Sequence, residues 1–295
     1  MQHQRDARGR QLVHPGPPHP DRIESFADGL LRGEIVLPAG AVLIEAVAAG
    51  LAPLGLQSAA LDLRGLVLGP MNFVMPTYAR TPDHVAYYSE THHRPGPVRV
   101  DTGTATYGAR DGAPFLHGHV LWQDADGTAM GGHVLPLDCR IAEDCTIGFA
   151  GAREVAMEAR PDAETNFTLF GPVAGAPSGG DLIVARVRPN EDLIEALEAI
   201  AARHGVREGR ILSLIGSTVG ARFEDGLAID EVPTEILGLN GRFGGDAAGG
   251  TRLDLEIALI DALGRIHRGR PSRGENPVLI CAEVFIERLK PAQEE

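Results

Sequence analysis

Two stretches of the chain carry apolar residues at helical spacing, and the two are alike. In VLPAGAVLIEAVAAGLAPLGL (36–56), Leu43, Val47 and Leu51 fall on one stripe, and Gly55 is placed to end a helix. In VRPNEDLIEALEAIAARHGV (187–206), Leu193, Leu197 and Ile200 form the stripe, with Asn190 as candidate N-cap and Gly205 as terminator. The string LIEA stands at 43–46 and again at 193–196. Around each predicted helix of about four turns, alternating segments such as HVAYYSE, ILGLNGRF and LDLEIALI read as strands joined by Gly- and Asp-rich turns.

The self-similarity continues downstream. GTATYGARDGAPFLHGHVLWQDADG (103–127) lines up with GRFGGDAAGGTRLDLEIALIDALG (241–264). AEDCTI (142–147) lines up with AEVFIE (282–287), which places Glu143 and Glu283 at equivalent strand starts. One helix per copy cannot supply the crossovers of a parallel sheet, so the pattern predicts an α+β fold: two tandem copies of a mainly antiparallel sheet, each with one helix packed on it. The boundary falls in the polar run EARPDAETN. It gives a Pro/His-rich extension over 1–25, a first domain over 26–160 and a second over 161–295.

A chain of 295 residues, 43% hydrophobic and 23% charged, has material for two cores. Its 27 basic and 40 acidic residues leave a formal charge of −13, which repels a phosphate backbone and disfavours nucleic acid as a partner. There is no run of about 18 apolar residues and no apolar h-region near the N-terminus, so a spanning helix and a signal peptide are not predicted and a cytoplasmic protein is expected. Cys139, Cys145 and Cys281 lack CxxC spacing and read as buried thiols. Lys290 is the only lysine, which removes Schiff-base and phosphate-loop chemistry. GSTVG (216–220) has its serine in the wrong place for a nucleophile elbow.

The candidate chemistry lies in FLHGHVLWQDADGTAMGGHV (115–134). In a strand His117 and His119 share a face. The DADG turn sends the chain back so that His133 can face His119, and Gly131 and Gly132 leave space for that approach or for a ligand. Three neutral imidazoles with an open fourth position make zinc a Lewis acid, and iron or manganese would accept the same ligands. In the second copy Asp254 and Glu256 replace the first two histidines, and the third position falls near Arg270. That copy either holds a salt-bridge cluster with Arg268 and Arg270, or its basic loop, which also carries Arg273, reaches the first site to hold a carboxylate. Arg64, His92, Arg94 and Arg99 are further candidates for binding a small anionic ligand, and Glu143 is the candidate general acid or base. Asn72, Tyr78 and His93 are polar neighbours in the same segment.

The LIEA helix, the Gly-rich strand, PFLHGHVLWQDADGTAMGGHVLP and the Ala-Glu strand resemble the PPC (also PCC) domain of plants and prokaryotes, over residues 30–150 and, more weakly, 180–290. The resemblance implies a twisted sheet of about seven strands with a helix on one face, assembled as a homotrimer. Plant members accompany AT-hooks that bind DNA, whereas prokaryotic members lack the hook and often carry metal on the histidines. Here the nearest string to a hook, HRGRPSRGENP (267–277), lies inside the second domain. Three readings stay open. The first is a metal-dependent protein acting on or sensing a small carboxylate metabolite, as a lyase, hydrolase or isomerase. The others are a DNA-associated regulatory protein and a non-catalytic trimeric module with a structural metal.

Overall fold

In the computed structural model, which describes residues 10–175, 179–245 and 249–289, the two helices span 9 and 11 residues, shorter than the four turns expected. Lys290 lies outside the described residues. The first half runs β1 (Ile23–Asp28), β2 (Leu31–Leu37), α1 (Leu43–Leu51), β3 (Ser58–Asp62), β4 (Val67–Leu68), β5 (Met71–Val74), β6 (Pro76–Tyr78), β7 (Ala86–Tyr88), β8 (His92–Arg94), β9 (Val98–Arg110), β10 (Ala113–Gln123), β11 (Ala129–Val134) and β12 (Cys145–Ala152). An antiparallel ribbon of β13 (Val155–Pro161) and β14 (Thr168–Ala174) follows. The second half runs β15 (Leu182–Val187), α2 (Leu193–Arg203), β16 (Gly209–Thr218), β17 (Ala221–Arg222), β18 (Ala228–Ile229), β19 (Thr234–Gly245), β20 (Thr251–Asp261), β21 (Ile266–Gly269) and β22 (Val278–Arg288).

The duplication is visible as topology. The strand order β2-β12-β3-β9-β10-β11 of the first sheet recurs as β15-β22-β16-β19-β20-β21 in the second, with antiparallel neighbours and one helix following the first strand of each path. Each helix buries its stripe: Leu43, Val47 and Leu51 in α1, and Leu193, Leu197 and Ile200 in α2. Gly205 takes the left-handed conformation just past α2, at φ 64°, and Gly55, at φ 67°, caps the 3-10 turn Ala52–Leu54 that follows α1. The N-cap of α2 is Asp192, whose carboxylate accepts from the Glu195 N–H at 3.1 Å, and not Asn190. Asn190 instead sits at φ 66° and exchanges two side-chain hydrogen bonds with the backbone of Leu12, which pins the N-terminal segment to the second domain. β1 also joins the second sheet, at the β15 edge.

Register tests the self-alignment residue by residue. The hairpins β10/β11 and β20/β21 close with Gln123 opposite Ala129 and Ile260 opposite Ile266, so their loops are equally long. His117, His119 and His133 therefore overlay on Asp254, Glu256 and Arg270, as the sequence suggests. The match of AEDCTI with AEVFIE does not survive. Leu37 and Val187 stand equally far ahead of their helices and pair with Cys145 and Ala282, so Glu283 overlays on Thr146 and not on Glu143.

Strand alternation then decides what each sheet face meets. On β10, Leu116, Val120 and Trp122 turn into the core shared with α1, while His117, His119 and Leu121 turn to the opposite face. On β22, Ala282, Val284 and Ile286 turn toward α2, and Cys281, Glu283 and Phe285 turn away. These helix-free faces pack on each other. Leu121 meets Ile215, Leu237 and Ile260, and Phe285 meets Ala60, Met157 and Phe170, with the helices on the two outer sides. Among the described residues no helix is long and apolar enough to cross a membrane.

Phe285 is fully buried between the sheets. We expect Phe285→Ala to cost about 3–5 kcal/mol, read as a lowered midpoint in chemical denaturation, with both halves unfolding in one transition. Two separated transitions in the parent protein would contradict a shared inter-sheet core.

Candidate metal centre

The β10/β11 hairpin assembles the histidines. His119 and His133 are direct cross-strand partners, and His117 lies two residues along β10 on the same face. Gly131 and Gly132 serve packing and not ligand space. A Cβ on Gly131 would stand 2.7 Å from a Leu121 methyl carbon and 2.8 Å from one of Ile260, and one on Gly132 would stand 2.6 Å from the Phe73 ring.

The ligand atoms of His117, His119 and His133 lie within 4.8 Å of one another. The second sheet fixes two of the rings. His117 Nδ1 faces Glu283 Oε1 at 2.8 Å, and His119 Nδ1 faces the Ile236 carbonyl at 2.9 Å. Both partners accept hydrogen bonds, so each Nδ1 carries the hydrogen and each Nε2 is left to face inward. The two Nε2 atoms stand 3.1 Å apart. That is close to the roughly 3.3 Å between two ligands on a tetrahedral ion with bonds of about 2.0 Å. Two lone pairs at this distance need a cation between them. A proton on His117 would satisfy these two rings, but His133 would stay unsatisfied: its Nδ1 is buried without a hydrogen-bond partner. A metal ion satisfies all three, and the donor set fits one.

Residues 174–290 match the family model of the Plants and Prokaryotes Conserved (PCC) domain. This part of the chain is similar to a PCC domain. Solved structures with similarity include a plant- and prokaryote-conserved protein of Pyrococcus horikoshii, at 18% identity, TM-score 0.40, covering 50% of this chain and 95% of that one. Another is a metal-containing protein of Archaeoglobus fulgidus, at 21% identity, TM-score 0.38, covering 49% and 95%. No curated protein matches the chain. The first half shares the strand order of the matched half and carries the histidines, and the matched half closes over them.

The closure forms a chamber of about 60 Å³ lined by the three histidines, Tyr87, Tyr88 and Phe167 on one side and by Ser217, Thr234, Glu235, Ile280 and Cys281 of the second half on the other. Burial, then the neighbouring His117, pushes the His119 pKa down to about 3, and burial likewise holds His133 well below its usual value. Both rings are neutral, the form that ligates. Burial pushes Glu235 up to about 8, and its Oε2 has no hydrogen-bond partner. Burial followed by the charges of Glu235, Cys281 and Glu283 also raises the Tyr88 phenol, although its ring is 38% exposed at the mouth.

The other sequence candidates lie elsewhere. Glu143 pairs with Arg99 at 3.1 Å, both more than half exposed, in the loop before β12. Arg64 pairs with Asp62 at the surface. Arg94 holds Asp124 at 2.9 Å and lies 5.6 Å from the centre of the Phe73 ring, on which His92 also stacks, so these two brace the hairpin turn. Arg270 pairs with Asp254 at 2.6 Å: the positions of two metal histidines in the first copy hold an ion pair in the second. Arg273 is held by Glu198. None of these residues lines the chamber. Glu235 in PTEILGL and Glu283 in CAEVFIE are site residues that the sequence patterns do not single out, although each is followed by apolar strand residues and is the kind of buried carboxylate that marks a site.

The raised Glu235 pKa has a stability consequence. Between its unfolded value near 4.5 and its folded value near 8, the folded metal-free protein keeps a proton that the unfolded chain releases, so this group destabilises the fold increasingly as pH rises through that window. Glu235→Gln removes the effect. The Tm of metal-free Glu235→Gln should exceed that of the parent by a margin that widens from pH 5 to pH 8, and parallel Tm curves would show that Glu235 ionises freely.

Proposed function

We propose that the protein is metal-dependent and acts on, or senses, a small metabolite bound at the three-histidine centre between its two sheets. The observation that carries this reading is the 3.1 Å approach of two inward-facing Nε2 atoms whose Nδ1 hydrogens are both committed to outer partners, with a third, half-buried imidazole beside them. Zinc is the metal of first choice, with iron or manganese acceptable to the same ligands, and when bound it supplies Lewis acidity.

The chain's own residues do the rest. Glu283 and the Ile236 carbonyl orient His117 and His119 from outside the ligand set and hold their tautomers. Glu235, protonated at neutral pH in the metal-free chamber, is the group positioned to give or take a proton, because it is buried, lines the chamber and has a free oxygen. Ser217 lines the chamber with a hydroxyl that accepts from the Ile280 N–H at 3.0 Å. Among the described residues no arginine lines the chamber. A carboxylate substrate would thus be held through the metal and not by the guanidinium groups of Arg64, Arg94, Arg99 or Arg270. We keep the homotrimer expectation with this reading, and sedimentation of the metal-loaded protein tests it.

Metal analysis of protein purified without chelator should give one transition-metal ion per chain, falling to none in His119→Ala. Glu283→Gln should retain the fold and weaken metal affinity by about 10- to 100-fold. Full affinity in Glu283→Gln would remove its orienting role, and no bound metal in the parent would overturn the reading.

A further inference from the structure

Three of the chain's four tyrosines, Tyr78, Tyr87 and Tyr88, sit on one two-stranded ribbon, β6/β7. All three are well exposed, at 47%, 50% and 38%. The ribbon belongs to the segment 63–97 between β3 and β9. Its counterpart in the second copy, 219–233 between β16 and β19, is much shorter and contains no aromatic residue but Phe223. The aromatic ribbon is thus an addition to the metal-bearing copy alone.

Its position is at the mouth of the metal chamber. Tyr87 and Tyr88 line both the chamber and an outer basin of about 370 Å³ walled by Tyr78 and His84. Rings run continuously inward: His84 packs on Tyr87 at 4.9 Å, Tyr87 on Phe167 at 5.7 Å, Phe167 on Tyr88 at 5.8 Å, and Tyr88 on His133 at 5.3 Å. The chamber itself, about 60 Å³, admits only a few heavy atoms, whereas the basin has room for a ring. Exposed tyrosine faces grouped beside a polar chamber are suited to bind a flat apolar group.

Building on the metal reading, we propose that the substrate is bipartite: an oxygen-donor head that enters the chamber, and a planar, aromatic or conjugated tail that stacks in the tyrosine basin. Tyr87 and Tyr78 are specificity-determining residues for that tail. The ring contacts of Tyr87 are with His84, Tyr88 and Phe167, and Tyr78 lines the outer basin and not the chamber, so the two positions separate tail recognition from metal binding.

The test uses the full chain loaded with cobalt(II), whose visible spectrum reports occupancy of the histidines, titrated with acetohydroxamate, benzohydroxamate and cyclohexanecarbohydroxamate. Benzohydroxamate should bind roughly ten-fold tighter than acetohydroxamate, with the cyclohexane compound between them. In Tyr78→Ala the cobalt spectrum and acetohydroxamate affinity should persist while the preference for benzohydroxamate falls to within about two-fold, and in Tyr87→Ala the preference should fall likewise. Tyr87→Phe should restore it. A preference that is absent in the parent, survives both alanine variants or extends equally to cyclohexane overturns the inference while leaving the metal reading standing. Failure of the parent to take up cobalt removes both.

Discussion

Two imidazole nitrogens held 3.1 Å apart, each with its other nitrogen already donating, form the constraint on which the rest of this protein depends. Neither ring could hold that orientation on the hairpin alone, because both outer acceptors come from the other half of the chain: the Glu283 carboxylate on β22 and the Ile236 carbonyl on β19. The helix-free faces of the sheets therefore have two functions at once. Leu121, Leu237, Ile260 and Phe285 exclude water, and the polar residues among them orient the histidines. Packing and chemistry share one interface.

Gene duplication usually suggests two equivalent sites, but here the copies have divided the roles. The second copy has exchanged the histidine positions for Asp254 and Arg270, an exposed pair worth at most about 1 kcal/mol that needs no metal. It contributes instead the opposite wall of the first copy's chamber. Low dielectric in that wall is what keeps Glu235 protonated and His119 and His133 neutral. The same burial that favours the neutral form of the histidines disfavours the ionised form of the carboxyl group that lines the chamber with them, so a protonated carboxyl stands beside neutral imidazoles.

Much of this was legible in the sequence because it depends on local periodicity. The strand alternation of FLHGH, the equal hairpin loops and the repeated LIEA give the histidine face, the third histidine opposite His119 and the tandem architecture. What was not legible depends on which surfaces meet. Glu143 and Glu283 look equivalent in the Ala-Glu strings, yet Glu143 lies in an exposed loop against Arg99 and Glu283 beneath His117, since strand register and not string similarity fixes equivalence. Asn190 has the residue type of an N-cap, but Asp192 is better placed and Asn190 is occupied by Leu12. Arg94 and His92 stand near the motif in sequence and brace Phe73 in space. Glu235 comes from a segment far from the motif and reaches it only when the sheets pack.

The most direct measurement of the central claim is the protonation of the imidazole nitrogens themselves, by nitrogen-15 NMR of histidine-labelled protein with and without one equivalent of zinc. The account predicts Nδ1-protonated rings at His117 and His119 in the zinc-loaded protein, with both Nε2 resonances moved into the metal-bound range and His133 moving with them. Nε2 resonances that ignore zinc, or a stable Nε2–H on His119, would contradict it.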